Sequence, residues 1–225
     1  MIEITALKHR ILDIPHLTIP TGLTALIGPN GSGKSTLLRL CAGIESPLQG
    51  TVTIDRESPR HVDVGWVDEF PDRTLLFDRV SDELSSALSF RHTPCTTIIQ
   101  EVTSIARECG IAHLLPRRCR ELSGGEKVLV ALGSALASRP QVLILDEFDS
   151  HLDFVAAERI REYYRTMSLS TVLFCTQDME AASGADHILF LDSGKVNLEG
   201  PPADVFKCLE GTCFYPLRWR VAQCR

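Results

Sequence analysis

Apolar residues follow two rhythms along this chain. Short, nearly unbroken apolar runs at 23–27, 141–146 and 171–176 are too short for ordinary helices and read as buried strands. Stretches 2–7, 17–19, 50–55 and 62–67 are also strand-like, as are 188–191 and 196–198, which flank a turn at 192–195. Helical spacing takes over at 36–42, where Gly43 is a C-terminal stop, and again at 126–138 and 155–167. From Arg79 to about Arg120 the helical period dominates. Val80, Leu84, Ala87 and Leu88 form one stripe, and Ile98, Val102, Ile105 and Ala106 form another, with Pro94 and Pro116 as breaks. Strands alternating with helices argue an α/β fold around a mostly parallel sheet. The tail after Gly200 carries little pattern.

Composition narrows the setting. The net charge of −6 creates no overall field for nucleic acid, so no nucleic-acid partner is expected. The local cluster Arg117, Arg118 and Arg120 reads as a solvated face. No two of the eight cysteines have C-x-x-C spacing, which argues against a zinc or redox motif. The first residues lack a positive-then-apolar signal pattern, and no apolar run approaches the ~18 residues of a membrane span. A reducing, cytoplasmic location is expected, with any membrane crossing left to another subunit.

Three motifs carry chemistry. Gly28-Pro-Asn30-Gly31-Ser32-Gly33-Lys34-Ser35, followed by Thr36, matches G-x-x-x-x-G-K-[ST] between a predicted strand and a predicted helix. Its glycines let backbone N–H groups wrap a phosphate chain. Lys34 reaches the β- and γ-phosphates, and Ser35 offers a hydroxyl to Mg²⁺. Leu143-Ile-Leu-Asp146-Glu147 is an apolar strand ending in two carboxylates, one to face Mg²⁺ and one to act as general base on an attacking water. Leu122-Ser123-Gly124-Gly125-Glu126 opens a helix with exposed N–H groups, a second anion site in the same chain.

In this order the motifs resemble the ATPase domain of ABC proteins, and the resemblance covers essentially the whole chain. It implies a P-loop NTPase (RecA-like) core, mostly parallel, with N-terminal antiparallel strands and an inserted helical subdomain. The reading is a single domain over 1–225, with core residues 1–78 and 122–225 and helical insert 79–121. Ser150-His-Leu-Asp153 resembles the family's D-loop. The stretch from Val64 through Glu69 and Pro71 to Phe77 resembles the joint segment of energy-coupling-factor importers. Leu75, Leu76 and Phe77 would then offer a groove to a membrane subunit, or simply pack between subdomains. The resemblance also implies ATP and Mg²⁺, the metal meeting Ser35, Asp146 and Glu69. Two such domains would face head to tail, so that Ser123, Gly124 and Gly125 serve the partner's nucleotide.

The family pattern is broken at the chain's own site. Glu69 stands where the family has glutamine, adding a negative group. Gln177 stands where the family has histidine. A glutamine amide donates but cannot become cationic. Losing a charge-assisted donor costs on the order of 3 kcal/mol, about a hundredfold in rate. With Glu147 as base, the expected site is slowed rather than dead, and a heterodimer is favoured over a homodimer. The resemblance further implies a residue stacking on adenine near the N-terminus, and the candidates there are Lys8, His9 and Arg10, none aromatic. The expected function is the ATP-hydrolysing subunit of an importer, peripheral on the inner face of the membrane. A soluble non-transport ABC ATPase and a weakly hydrolysing regulatory subunit stay open as alternatives.

Overall fold

The computed structural model describes residues 1–148 and 170–223. In chain order the elements are β1 (Ile2–His9), β2 (Leu12–Ile19), β3 (Gly22–Ile27), α1 (Lys34–Cys41), β4 (Gln49–Ile54), β5 (Val64–Val67), α2 (Val80–Phe90), α3 (Cys95–Glu108), α4 (Gly124–Ala137), β6 (Val142–Asp146), β7 (Thr171–Cys175), α5 (Met179–Ser183), β8 (His187–Asp192), β9 (Lys195–Gly200), α6 (Pro202–Cys208) and α7 (Leu217–Gln223). The helix expected at 155–167 and the Ser150-His-Leu-Asp153 stretch lie outside the described residues. The chain divides into two compact units, Met1–Val62 with Ser170–Arg225, and Asp63–Leu169. The helical insert expected at 79–121 lies inside the second.

In the first unit β1 pairs antiparallel with both β2 and β4. Along β1 the buried residues are Ile2 and Ile4, then Leu7 and His9. The phase shifts because the strand bulges. The β1–β4 register breaks between Thr5 and Lys8, and Ala6 has a φ of 51°. A bulge adds one residue and so exchanges the faces of everything after it. Beside this sheet β3 lies between β7 and β8, parallel to both, and β9 returns antiparallel to β8. Ala25, Leu26 and Ile27 are fully buried, as an apolar run in a parallel strand should be. The tail contributes two helices, α6 entered at Pro201 and Pro202, and α7 beyond it. They are anchored by aromatic edges: Phe206 and Tyr215 against Trp219 at 5.3 and 6.2 Å, and Phe190 against Phe214 at 5.2 Å.

In the second unit β5 runs parallel to β6, in register from Val64↔Val142 to Val67↔Leu145. Helix α4 packs close to β5 at Gly65, where a Cβ would stand 3.1 Å from the carbonyl oxygen of Ala135. Val128, Ala131, Leu132 and Leu136 of α4 are buried, as are Val80, Leu84 and Leu88 of α2 and Val102, Ile105 and Ala106 of α3. The two helical stripes expected at 79–120 are therefore the apolar faces of α2 and α3.

Candidate nucleotide site

The phosphate loop leaves β3 at Gly28. The φ there is 145°, and a Cβ would sit 1.9 Å from the carbonyl oxygen of Leu191 on β8. Only glycine fits, for conformational and steric reasons together. Ser32 N–H donates to Pro29 O at 3.2 Å, and Leu37 N–H to Gly33 O at 2.9 Å as α1 begins. Gly33 is the N-cap residue of α1, so the first N–H groups of the helix face the loop. Lys34 is 5% exposed, and its Nζ donates to Gly28 O at 2.9 Å and Pro29 O at 3.0 Å. Asn30, Gly31, Ser32, Gly33, Ser35 and Thr36 thus lie on one short strand–loop–helix bend.

A second turn braces the loop. Asp192 pairs with Lys195, leaving Ser193 and Gly194 as a two-residue hairpin loop with φ of 50° and 79°. Gly194 N–H donates to Ser32 O at 3.1 Å, and Gly194 O accepts from Asp13 N–H at 2.9 Å. The turn therefore links the phosphate loop to the β1–β2 hairpin. At that hairpin, His9 is only 8% exposed. Its Nε2 lies 3.0 Å from Glu45 Oε2, and Arg10 Nη2 lies 3.2 Å from the same oxygen. His9 is engaged below the surface and has no open ring face to offer a base. The β1 bulge puts it there, since uninterrupted alternation from Ile2 and Ile4 would turn position 9 outward. Ile11, which sequence reasoning passed over, is half exposed, and its Cγ1 stands 3.4 Å from where a Cβ on Gly33 would be.

Gln177 follows β7. It lies two residues beyond Cys175, which pairs with Leu26, and Gly28 lies two residues beyond Leu26. Neighbouring strands are about 4.8 Å apart, so Gln177 leaves the sheet level with the start of the phosphate loop. It is exposed. Its approach is stiffened by Thr176, 1% exposed, whose Oγ1 accepts from Asp178 N–H at 2.9 Å.

In the second unit the β5–β6 register does similar work. Asp68 and Asp146 each follow the pair Val67↔Leu145, and Glu69 and Glu147 come next. Asp146 is 2% exposed. Glu147 has a φ of 45°, a left-handed conformation that costs a non-glycine residue on the order of 1–2 kcal/mol and is typical of functional turns. Among the described residues no group of three or more His, Cys, Asp or Glu side chains could hold a metal by itself.

Ser123 is the N-cap of α4, in a reciprocal capping box. Its Oγ accepts from Glu126 N–H at 3.3 Å, and Glu126 Oε2 accepts from Ser123 N–H at 2.8 Å. The S-x-x-E spacing announces this box in the sequence. Glu126 Oε1 also takes a bond from Arg117 Nη1 at 3.2 Å, so Arg117 is committed to the helix start. The carboxyl of Glu126 is held below its usual range, first by the Ser123 N–H, with the Ser123 hydroxyl, Arg117 and His113 adding to it. Gly124 is exposed, and nothing lies within 4 Å of a Cβ built on it. The first turn of α4 is therefore open to a ligand from outside the chain.

Parallel strands feeding a phosphate loop with a buried lysine and a helix N-terminus define a P-loop nucleoside-triphosphatase. A family model described as "ABC transporter" matches residues 12–150, and the chain belongs to this family. It is 34% identical over 205 residues to an energy-coupling factor transporter ATP-binding protein of Lactiplantibacillus plantarum, covering 87% of this chain and 73% of that protein. It is 36% identical over 205 residues to a sulfate/thiosulfate import ATP-binding protein of Mycobacterium bovis, covering 87% of this chain and 58% of that one. A solved structure of cbiO1 from Clostridium perfringens, part of the ABC transporter complex cbiONQ, superposes with a TM-score of 0.82 at 27% identity, covering 93% and 91% of the two chains. The protein is an ABC-family ATPase, the ATP-binding subunit of a transporter. Among the described residues no helix is long and apolar enough to cross a membrane.

Proposed function

We propose that this chain powers an importer from the cytoplasmic face of a membrane, pairing head to tail with a second ABC ATPase and driving an integral membrane subunit. The observation that carries the reading is the coexistence in one chain of a lysine-bearing phosphate loop and an open, capped helix start at Ser123–Gly124. One chain has little use for two anion sites on one nucleotide, whereas two facing chains use both. The name of the sulfate/thiosulfate import relative supports the importer direction.

In this reading Asn30, Gly31, Ser32, Gly33, Lys34, Ser35 and Thr36 bind the phosphates of the chain's own ATP. Ser35, Asp146 and Glu69 hold Mg²⁺, which neutralises phosphate charge when bound. The Glu147 carboxylate takes a proton from the water that attacks the γ-phosphorus as the bond to ADP breaks. Ile11 supplies an apolar surface for adenine. Ser123, Gly124 and Gly125 meet the partner's γ-phosphate.

Glu69 and Gln177 slow the chain's own site, and the unaltered Ser123-Gly124-Gly125 stretch serves a faster one, which favours a heterodimer. The test is single-turnover hydrolysis in the assembled pair, with the partner's catalytic glutamate disabled. Gln177→His should raise the rate by up to about a hundredfold. Glu69→Gln combined with Gln177→His should exceed the product of the single effects, because both act on one phosphate. A wild-type rate already equal to the double variant removes the slowed-site reading and makes a homodimer the better one.

A further inference from the structure

The hairpin that joins β1 to β2 holds a buried polar contact that the proposed hydrolytic machinery does not use. His9↔Leu12 is the last pair of the two strands, so Arg10 and Ile11 form the turn, with Arg10 at a φ of 52°. His9 is 8% exposed, and its Nε2 lies 3.0 Å from Glu45 Oε2. An ionised carboxylate only accepts, so Nε2 carries the hydrogen. The other ring nitrogen, Nδ1, is buried with no hydrogen-bond partner among the described residues, which leaves Glu45 as the ring's polar anchor. Arg10 Nη2 reaches the same oxygen at 3.2 Å. One carboxylate oxygen therefore holds the last strand residue and the first turn residue together.

Glu45 is itself fixed. It follows α1, and the N–H groups of Ile44 and Glu45 both donate to Arg39 O, in the last turn of that helix, at 3.0 and 3.3 Å. The Glu45 side chain is 19% exposed, so its charge is held largely out of water and depends on its donors. At its other end α1 begins at the phosphate loop, and there the same hairpin makes contact. Leu12 Cδ2 and Ile11 Cγ1 stand 2.7 and 3.4 Å from where a Cβ on Gly33 would be. The hairpin is thus tied beyond the end of α1 by Glu45 and rests on the start of α1 through Ile11 and Leu12. Without Glu45 both nitrogens of His9 would be buried and unpaired, a cost that favours the ring swinging out to water. The turn that carries Ile11 would move with it.

We propose that Glu45 is a positioning residue for nucleotide affinity: it holds the β1–β2 turn so that Ile11 covers the base, and so sets how much more tightly the site takes a nucleoside triphosphate than a bare triphosphate chain. This rests on the reading of Ile11 as the base surface, whereas the tie between Glu45 and the turn is a property of the hairpin alone. An aliphatic cover makes no hydrogen bond to a base, so Glu45 acts on ATP and GTP alike and leaves the choice between them unchanged. Glutamine at position 45 keeps an acceptor oxygen for His9 and Arg10, and alanine keeps none.

The test titrates the full chain with ATP, GTP and inorganic tripolyphosphate in the presence of Mg²⁺, as wild type, Glu45→Gln, Glu45→Ala and Ile11→Ala. Glu45→Ala should weaken ATP and GTP by about fivefold, the worth of a partly lost apolar cover, and leave tripolyphosphate within about twofold of wild type. Glu45→Gln should keep all three ligands within about twofold of wild type. An equal loss for all three ligands in Glu45→Ala overturns the proposal, because Glu45 then only supports the fold of the phosphate loop. No loss for any of them overturns it as well. The second readout is amide exchange at Asp13, whose N–H donates to Gly194 O at 2.9 Å just beyond the turn. Glu45→Ala should raise it by about tenfold, Glu45→Gln should not, and Leu37 in α1 should be unchanged in both. An unchanged Asp13, or an equal rise at Leu37, overturns the tie. If Ile11→Ala keeps the full preference for ATP over tripolyphosphate, the base-surface reading fails by itself, and the exchange experiment decides whether Glu45 holds the turn.

Discussion

The ammonium of Lys34 donates to the carbonyl oxygen of Gly28 at 2.9 Å, and to that of Pro29 at 3.0 Å. Two of its three N–H donors thus shape the loop, and in the proposed function the third meets a phosphate oxygen, so that one side chain would both build the cradle and read its content. Lys34→Ala should therefore weaken ATP binding by about a hundredfold and abolish ATP-dependent pairing, as a charge-assisted contact and a loop brace vanish together. Nucleotide titration and sedimentation check this. Glu147→Gln should behave in the opposite way: ATP affinity is kept, since glutamine occupies the same backbone, while turnover falls by at least about a hundredfold.

Gly194 stands where a Cβ would lie 1.8 Å from the carbonyl oxygen of Ile11, with a φ of 79°. Both neighbours are backbone, so neither can swing aside. Gly194→Ala should destabilise the first unit by about 2–4 kcal/mol, seen as a thermal midpoint lower by several degrees. ATP affinity should fall as well, because Gly194 N–H braces Ser32 O at 3.1 Å. Calorimetry with and without ATP separates the two effects.

Acid should loosen the start of helix α4. The folded-state pKa of Glu126 lies below its ordinary value, chiefly through the Ser123 N–H. A depressed carboxylate contributes stability above its unfolded pKa of about 4.3 and loses that contribution as pH falls through the folded value. Wild type should therefore lose thermal stability more steeply than Glu126→Gln below about pH 4, and the two should run parallel above about pH 6. Melting curves across this range, with exchange at the Ser123 amide, give the comparison.

Base recognition at Ile11 should be improvable. An aliphatic side chain covers adenine without stacking on it, and aromatic faces add about 0.5–1.5 kcal/mol beyond area. Ile11→Tyr should tighten ATP by about threefold to tenfold, and Ile11→Asp should weaken it. His9→Ala should leave base preference unchanged while lowering stability, since His9 is tied to Glu45 at 3.0 Å. Competition between ATP and GTP resolves these outcomes.

What the sequence by itself determined is the chemistry that is local in the chain. The bend from Gly28 to Ser35 needs its residue types at consecutive positions, and so does the strand that ends in Asp146 and Glu147. The α/β class followed from short apolar runs alternating with helical stripes. The capping box of Ser123 and Glu126 was equally local, a spacing of three. The tertiary structure alone decided the fate of residues whose partners are distant in sequence. The bulge at Ala6 reversed the faces of β1 and buried His9, and it depends on pairing with β4. The role of Gly194 depends on a hairpin formed more than 180 positions earlier. Glu83 looks like any polar residue in the first turn of a helix until Leu76, Phe77 and Ser134 close around it. Burial and long-range hydrogen bonds arise only when the elements pack, and no local pattern of hydrophobic and polar positions encodes them.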